Sequence, residues 1–229
     1  MLQEIKTDYV LFLDVETVPQ YPAYSMLPES KKKFWNQKAS FLAKSESDTP
    51  ESLYERAGIY AEFGKIICIS SGFIRDGKLN IKSFAGDDEK IILEEFRNAL
   101  HKLEKSGKKW FLCAHNGKEF DFPYIARRMV IHGIPVPGIL DPRGKWAKDL
   151  QLIDTMELWK FGDYKNFTSL DLLADILGIP SPKDDMDGSQ VCNIYYNEQD
   201  LTRIVTYCEK DVKTLCRVFL KFKGEAMSI

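Results

Sequence analysis

Asp14 and Glu16 in VLFLDVET, Asp121 in HNGKEFDFP, and Tyr207 with Asp211 in YCEKDV are the residues of this chain whose types and spacing suit hydrolytic chemistry. The first pair follows the apolar run Val10 to Leu13, which reads as a buried strand, where residues two apart point the same way. Tyr207 and Asp211 lie four apart in a helical pattern, which stacks them about one turn apart on one surface. Asp121 falls where a strand-like run, Trp110 to Ala114, passes through Asn116-Gly117 into another helix. A strand end, a turn and a helix can converge on one crevice. Four carboxylates there would hold hard divalent cations, Mg²⁺ or Mn²⁺, which prefer oxygen ligands. Two such ions about 4 Å apart can make a nucleophile from water at neutral pH and stabilise the leaving oxygen of a phosphodiester. Taken singly, most of these acids read as turn, cap or solvated helix residues. Glu16 differs, because two unpaired carboxylates sharing one face of an apolar strand would repel.

The three segments, in this order, resemble the DEDD superfamily of 3′–5′ exonucleases, in the tyrosine-bearing branch that includes the proofreading domains of family B DNA polymerases. DVET fits the first motif, Asn116 through Phe120-Asp121 the second, and Tyr207 with Asp211, Tyr-x-x-x-Asp, the third. FDFPYI after the second acid, YAEFGKIICIS before the second strand and SLDLLADILGI are also similar, in particular to stand-alone predicted exonucleases related to that polymerase domain. The resemblance implies that Asp14 bridges two ions, that Glu16 and Asp211 hold the nucleophile-side ion, and that Asp121 holds the second mainly through water. Tyr207 would orient the attacking water, since a phenol with an unperturbed pKa of about 10 is a poor base at neutral pH. By the same resemblance Asn116 and Phe120 touch the substrate strand and Thr17 meets the 3′-terminal nucleotide through its backbone. The residues themselves leave open a turn Asn, a core Phe and a capping Thr. His115 precedes the second motif, whereas another branch carries its histidine in the third, so His115 is expected to be structural.

The implied activity is 3′–5′ hydrolysis of single-stranded or frayed DNA ends to nucleoside monophosphates. An exoribonuclease of the same mechanism is the alternative, and a catalytically silent nucleic-acid-binding module is the reading from another class. The expected partner is a nucleic acid 3′ end, DNA favoured over RNA, together with replication or repair proteins and no membrane. The net charge of −2 is acidic for such a substrate, but it becomes +2 once the four proposed ligands are set aside. Productive binding should therefore depend on metal.

Length and patterning supply the scaffold. The 229 residues, 44% hydrophobic and 12% aromatic, suit one domain, 1–229, with a helical insertion at about 20–64. No apolar run approaches about 18 residues and Met1 to Asp8 is mixed and polar, so a cytoplasmic protein is expected. Cys68, Cys113, Cys192, Cys208 and Cys216 form no Cys-x-x-Cys pair and read mostly as small buried hydrophobes. Strands are expected at Tyr9 to Glu16, Lys65 to Ile74, Lys78 to Phe84, Trp110 to Ala114 and Leu150 to Asp154, with Asp76-Gly77 as a hairpin turn. Helices are expected over Lys31 to Phe41, Glu51 to Phe63, Asp87 to Lys105, Asp121 to His132, Ser169 to Leu177 and Asp200 to about Lys223. Ser181 to Gly188 reads as polar loop, and Lys31-Lys32-Lys33 as a solvated helix face. The elements and the resemblance together predict an α/β ribonuclease H-like fold: a mixed five-stranded sheet, its first three strands antiparallel, with helices on both faces.

Overall fold

The computed structural model describes residues 2–163, 167–180 and 186–226. Most of the loop predicted at Ser181 to Gly188 lies outside these residues. Five strands, β1 (Val10–Pro19), β2 (Gly64–Arg75), β3 (Lys78–Ala85), β4 (Phe111–Ala114) and β5 (Leu152–Asp154), form one sheet in the order β3-β2-β1-β4-β5. β1, β2 and β3 pair antiparallel, whereas β4 and β5 join parallel, as expected. Asp76 and Gly77 both take positive φ in the β2–β3 turn, the geometry that favours Asp-Gly in two-residue hairpins.

Alternation along β1 feeds two cores. Leu11, Leu13 and Val15 pack with α2 (Glu89–Lys105) and α3 (Asp121–Ile131), through Leu93, Phe96, Ile125 and Met129. Val10 and Phe12 pack on the other face against Val212, Leu215, Cys216 and Phe219 of the long helix near the C-terminus, and Val18 joins Ile204 and Cys208 of the same helix. Helices therefore cover both faces. Asp88 caps α2 through the Lys90 N–H at 2.9 Å, a device that satisfies an otherwise unpaired donor.

Three segments depart from the sequence reading. The helix expected over Glu51 to Phe63 is only a 3₁₀ turn, Tyr54–Ile59. At its centre Gly58 lies so close to β1 that a Cβ would come within 3.1 Å of the Val18 backbone. A regular helix would hold the chain too far from the strand, and the apolar spacing that suggested one serves a local cluster around Trp35 of α1 (Glu29–Leu42). Thr155–Lys160 forms an unpredicted α4 capped by Asp154. Val191–Asn193 (α6) runs into a π-turn, Ile194–Glu198, after α5 (Leu170–Ile176) and before α7 (Leu201–Lys223). Among the described residues no helix is long and apolar enough to cross a membrane.

The insertion is clamped to the sheet at defined points. Gln20 N donates to Phe63 O at 2.9 Å and Tyr124 Oη to Gly58 O at 2.6 Å. Arg128 Nη1 reaches Ala61 O at 2.8 Å while its Nε holds the Glu89 carboxylate, which also accepts the Ile66 N–H at 2.7 Å. Gly64 closes this junction. A Cβ there would lie 2.1 Å from Tyr124 Oη and 2.5 Å from Gly58 O. Gly64→Ala should cost about 1–3 kcal/mol by overpacking, a fall of roughly 3–10 °C in thermal midpoint for a chain of this size. Gly86→Ala, where a Cβ meets nothing within 4 Å, is the control. Equal midpoints for the two variants would contradict the clamp.

Candidate active site

The parallel ladder between β1 and β4 runs only from Val10–Phe111 to Phe12–Cys113, whereas β1 continues beside β2 as far as Pro19–Gly64. Beyond Phe12 the β4-side edge of β1 is thus left without a strand. Asp121, the first residue of α3, faces it, close enough for the Val15 backbone to favour the charged form of its carboxylate. The turn that delivers Asp121 is held by Asp154 at the end of β5, whose carboxylate accepts the N–H groups of Asn116 at 2.9 Å, Lys118 at 3.0 Å and Met156 at 2.9 Å. Asn116 takes φ +59°, tolerated better by Asn than by most residues. Gly117 is required because a Cβ would lie 2.3 Å from Ala114 Cβ.

Asp14 and Glu16 share the face of β1 that looks toward α7, opposite Ser70 and Cys68 of β2. On α7, Ile204, Cys208, Val212 and Leu215 are buried, and Tyr207 and Asp211 stand half-buried beside them. The Tyr207 hydroxyl lies near enough to the Asp211 carboxylate to interact with it. The structure therefore gathers all five residues named from the sequence.

The electrostatics of this cluster are those of an uncompensated anionic site. Burial, then Glu16, Asp211 and Asp121, pushes the Asp14 carboxyl well above the usual range. Burial, then Asp211, Cys68 and Asp121, does the same to Glu16. Asp121 is pushed up to about 7, chiefly by burial and by Asp154, against the opposing pull of the Val15 N–H. Tyr207 is raised by burial and by Asp211, Glu16 and Asp14. Asp14 Oδ2 is buried with no hydrogen-bond partner, an expensive state for a carboxylate oxygen. Hard divalent cations fit this donor set, since they would supply the missing partner and relieve the repulsion.

The remaining predicted contacts are placed as follows. Thr17 lies on the opposite face of β1, its hydroxyl bonded to Tyr124, so only its backbone borders the acids. Asn116 Oδ1 is buried and without a partner. Phe120 is half-buried with its ring 5.3 Å from that of Tyr124, and Phe122 is in the core. His115 is structural as expected, its two ring nitrogens bonded to Thr155 Oγ1 and Thr168 O at 2.9 and 2.8 Å.

Sequence reasoning missed two participants. Cys208 Sγ lies within 4.8 Å of ligating oxygens of Asp14 and Glu16 and donates to the Asp14 carbonyl at 3.5 Å. Burial pushes this thiol well up, so it stays protonated at neutral pH and packs as a neutral wall. Its position directly after Tyr207 was the available signal. Asp154 was read only as a strand end, and its partners lie about 40 residues away, beyond the reach of local patterning.

Without metal, the pKa of Asp121 gives a signed prediction. The group has an ordinary value of 3.8 and a folded value of about 7, so between them the unfolded chain has lost a proton that the folded chain keeps. Stability from this group is present below about pH 4, falls as pH rises toward 7 and levels off above. Asp121→Asn removes the loss while retaining an acceptor for Val15. In chelator, its thermal midpoint relative to the wild type should rise across that window; a pH-independent difference would mean that Asp121 titrates normally.

Comparisons with known proteins agree with this geometry. A protein-family model described as a predicted 3′–5′ exonuclease related to the exonuclease domain of PolB matches residues 59–227, a span that contains Asp121, Tyr207 and Asp211 and leaves out β1. The structure of the family B DNA polymerase from the hyperthermophilic archaeon Pyrobaculum calidifontis is similar with a TM-score of 0.56 at 15% identity, over 93% of this chain and 24% of that one. This chain thus spans about a quarter of the polymerase, and the likeness is one of fold. The RNase domain of the yeast Pop2 protein aligns at 14% identity over 97% of this chain and 80% of that one, with a TM-score of 0.42. Comparison with curated proteins finds no match. The mixed sheet is that of ribonuclease H-like exonucleases, and the family match extends over well more than half of the sequence: the chain belongs to the family of predicted 3′–5′ exonucleases related to the exonuclease domain of PolB.

Proposed function

We propose that this protein is a two-metal-ion 3′–5′ exonuclease that shortens single-stranded or frayed DNA 3′ ends to nucleoside monophosphates. The observation that carries the reading is the set Asp14, Glu16 and Asp121, each held above its ordinary pKa by burial and by carboxylates that include Asp211, around an Asp14 oxygen that lacks any partner. DNA is favoured over RNA by the relation of the family to a DNA polymerase domain. The cations are Mg²⁺ or Mn²⁺, held by Asp14, Glu16, Asp121 and Asp211, and when bound they would supply the Lewis acidity that activates water and stabilises the leaving 3′ oxygen.

The side chains then have separable tasks. Asp14 and Glu16, fixed by a strand paired on its β2 side, form the rigid floor. Asp121 is set beside the Val15 backbone and Asp211 by the α7 turn that also carries Tyr207. The Tyr207 hydroxyl, kept protonated by burial and by its carboxylate neighbours, positions the attacking water and does not remove its proton. Water adds to phosphorus, the bond to the 3′ oxygen breaks and that oxygen gains a proton. The half-buried Phe120 and the backbone of Thr17 border the same cleft and would receive the terminal nucleotide.

A 5′-labelled oligonucleotide should yield a descending ladder with Mg²⁺ or Mn²⁺ and nothing in chelator, DNA being cut faster than RNA. Asp14→Ala should abolish cleavage while leaving the protein folded. Efficient cutting of a circular single strand, or activity that survives chelation, would sink the assignment. Tyr207→Phe keeps the packing and all four carboxylates, so metal-induced stabilisation should persist while single-turnover cleavage falls about 10²-fold or more. A wild-type rate at saturating Mg²⁺ would reduce Tyr207 to a packing residue.

A further inference from the structure

Helix α1 buries Trp35 and Ala39 against the insertion's own cluster, yet leaves Phe34 61% and Phe41 79% exposed on another face. Lys31, Phe34, Lys38 and Phe41 are spaced three or four apart, which aligns them as one stripe. With Glu62 and Phe63 they line a groove of about 660 Å³. Lys38 Nζ sits 4.2 Å from the ring centroid of Tyr60, and Lys31 Nζ is bonded to Gln20 Oε1. Gln20 follows directly on β1 and its N–H donates to Phe63 O. The groove is therefore tied to the strand that carries Asp14 and Glu16, four residues past Glu16, or about 13 Å at roughly 3.3 Å per strand residue.

Exposed aromatic rings interleaved with lysines are what a sequence-tolerant single-strand site requires, because rings stack on any base and ammonium groups meet phosphates. Four of the residues 29–38 are lysines, and Glu29 and Glu62 are the only acids on α1 and in the groove lining. We infer that the Lys31–Phe34–Lys38–Phe41 face of α1 is a base-stacking subsite for the single strand several nucleotides upstream of the 3′ end held at the carboxylates. This rests on the exonuclease reading above and adds to it the element that grips the strand. At about 3.4 Å per stacked nucleotide, the roughly 13 Å of strand from Glu16 to Gln20, where the groove is tied on, already corresponds to about four nucleotides, so the subsite acts only on longer substrates.

Phe34→Ala/Phe41→Ala removes both exposed rings and leaves the buried side of α1 intact, which thermal unfolding should verify. KM and the dissociation constant for a 5′-fluorescein-labelled (dT)₁₂, the latter by anisotropy with Ca²⁺, should each rise roughly tenfold or more. Hydrolysis of a dinucleotide and of thymidine 5′-p-nitrophenyl phosphate should be unchanged, and Lys38→Glu should weaken (dT)₁₂ binding and flatten its salt dependence. Unaltered (dT)₁₂ binding, or equal losses on long and short substrates, overturns the subsite. A wild-type dimer in sedimentation that the double variant dissolves would also overturn it, by assigning the face to a second copy. If no substrate is cleaved at all the exonuclease reading fails, and anisotropy still decides the groove.

Discussion

The early end of the β1–β4 ladder is the constraint on which the rest of this molecule depends. A strand paired on both sides along its whole length would have no edge at which an acid from another element could enter. Here pairing with β4 stops at Phe12–Cys113 while pairing with β2 continues to Pro19–Gly64, so the strand edge near Val15 is open and Asp121 comes up to it. A bare strand edge is ordinarily covered or blunted, and in this fold the covering element is a helix that begins with a carboxylate. The register shift between Glu16 and Thr17 leaves Ile67 as an extra residue on β2, so that Ile67 and Cys68 both pack toward α7. The bulge thereby closes the cluster beneath Glu16 without disturbing the alternation that aligns Asp14 with Glu16.

Two buried glutamates show how the partners around a buried charge set its role. Glu16 is 8% exposed and Glu89 is 5% exposed. Glu89 accepts hydrogen bonds from Ile66 N and Arg128 Nε at 2.7 and 2.8 Å and meets His132 Nε2 at 2.7 Å. It is a strut joining α2, α3 and the start of β2, of the kind in which loss of one partner is costly. Glu16 has no such donors among the described residues, and burial first, then Asp211, Cys68 and Asp121, drives its pKa up. The fold thus surrounds one glutamate with donors and leaves the other among carboxylates, where a proton or an added cation would relieve the repulsion. Such a concentration of shifted carboxylates is where function is sought.

The sequence made the local geometry of the site legible and left its long-range supports hidden. Period two in VLFLDVET aligned Asp14 with Glu16, and the four-residue spacing in YCEKD put Tyr207 over Asp211, because both depend only on the repeat of one element. Asp76-Gly77 announced the β2–β3 hairpin through positive φ at both positions. Asp154 could not be read in this way, since its importance lies in the amides of Asn116 and Lys118. Nor could the collapse of Glu51 to Phe63 into a 3₁₀ turn, which follows from the approach of Gly58 to Val18. The π-turn at Ile194–Glu198 is likewise tertiary in origin: Tyr196 bonds Pro19 O and Tyr195 bonds both Lys65 and Asp87, so the turn is fastened to the far end of β1 and to β2. Over Glu51 to Phe63 helical periodicity was present and was overridden by a contact with the sheet.

The same carboxylates also define what Tyr207 can do. Their negative charge and its burial raise the phenol, and cations bound among them would cancel part of that charge and move the group back toward its ordinary value of about 10. In either state the hydroxyl keeps its proton at neutral pH. It can therefore donate one hydrogen bond and accept another, and Asp211, one turn along the same helix, is a carboxylate within its reach. A phenol that fails to ionise and sits on a rigid ring is suited to the water-positioning role proposed for Tyr207, with Asp211 one turn along the same helix as its neighbour.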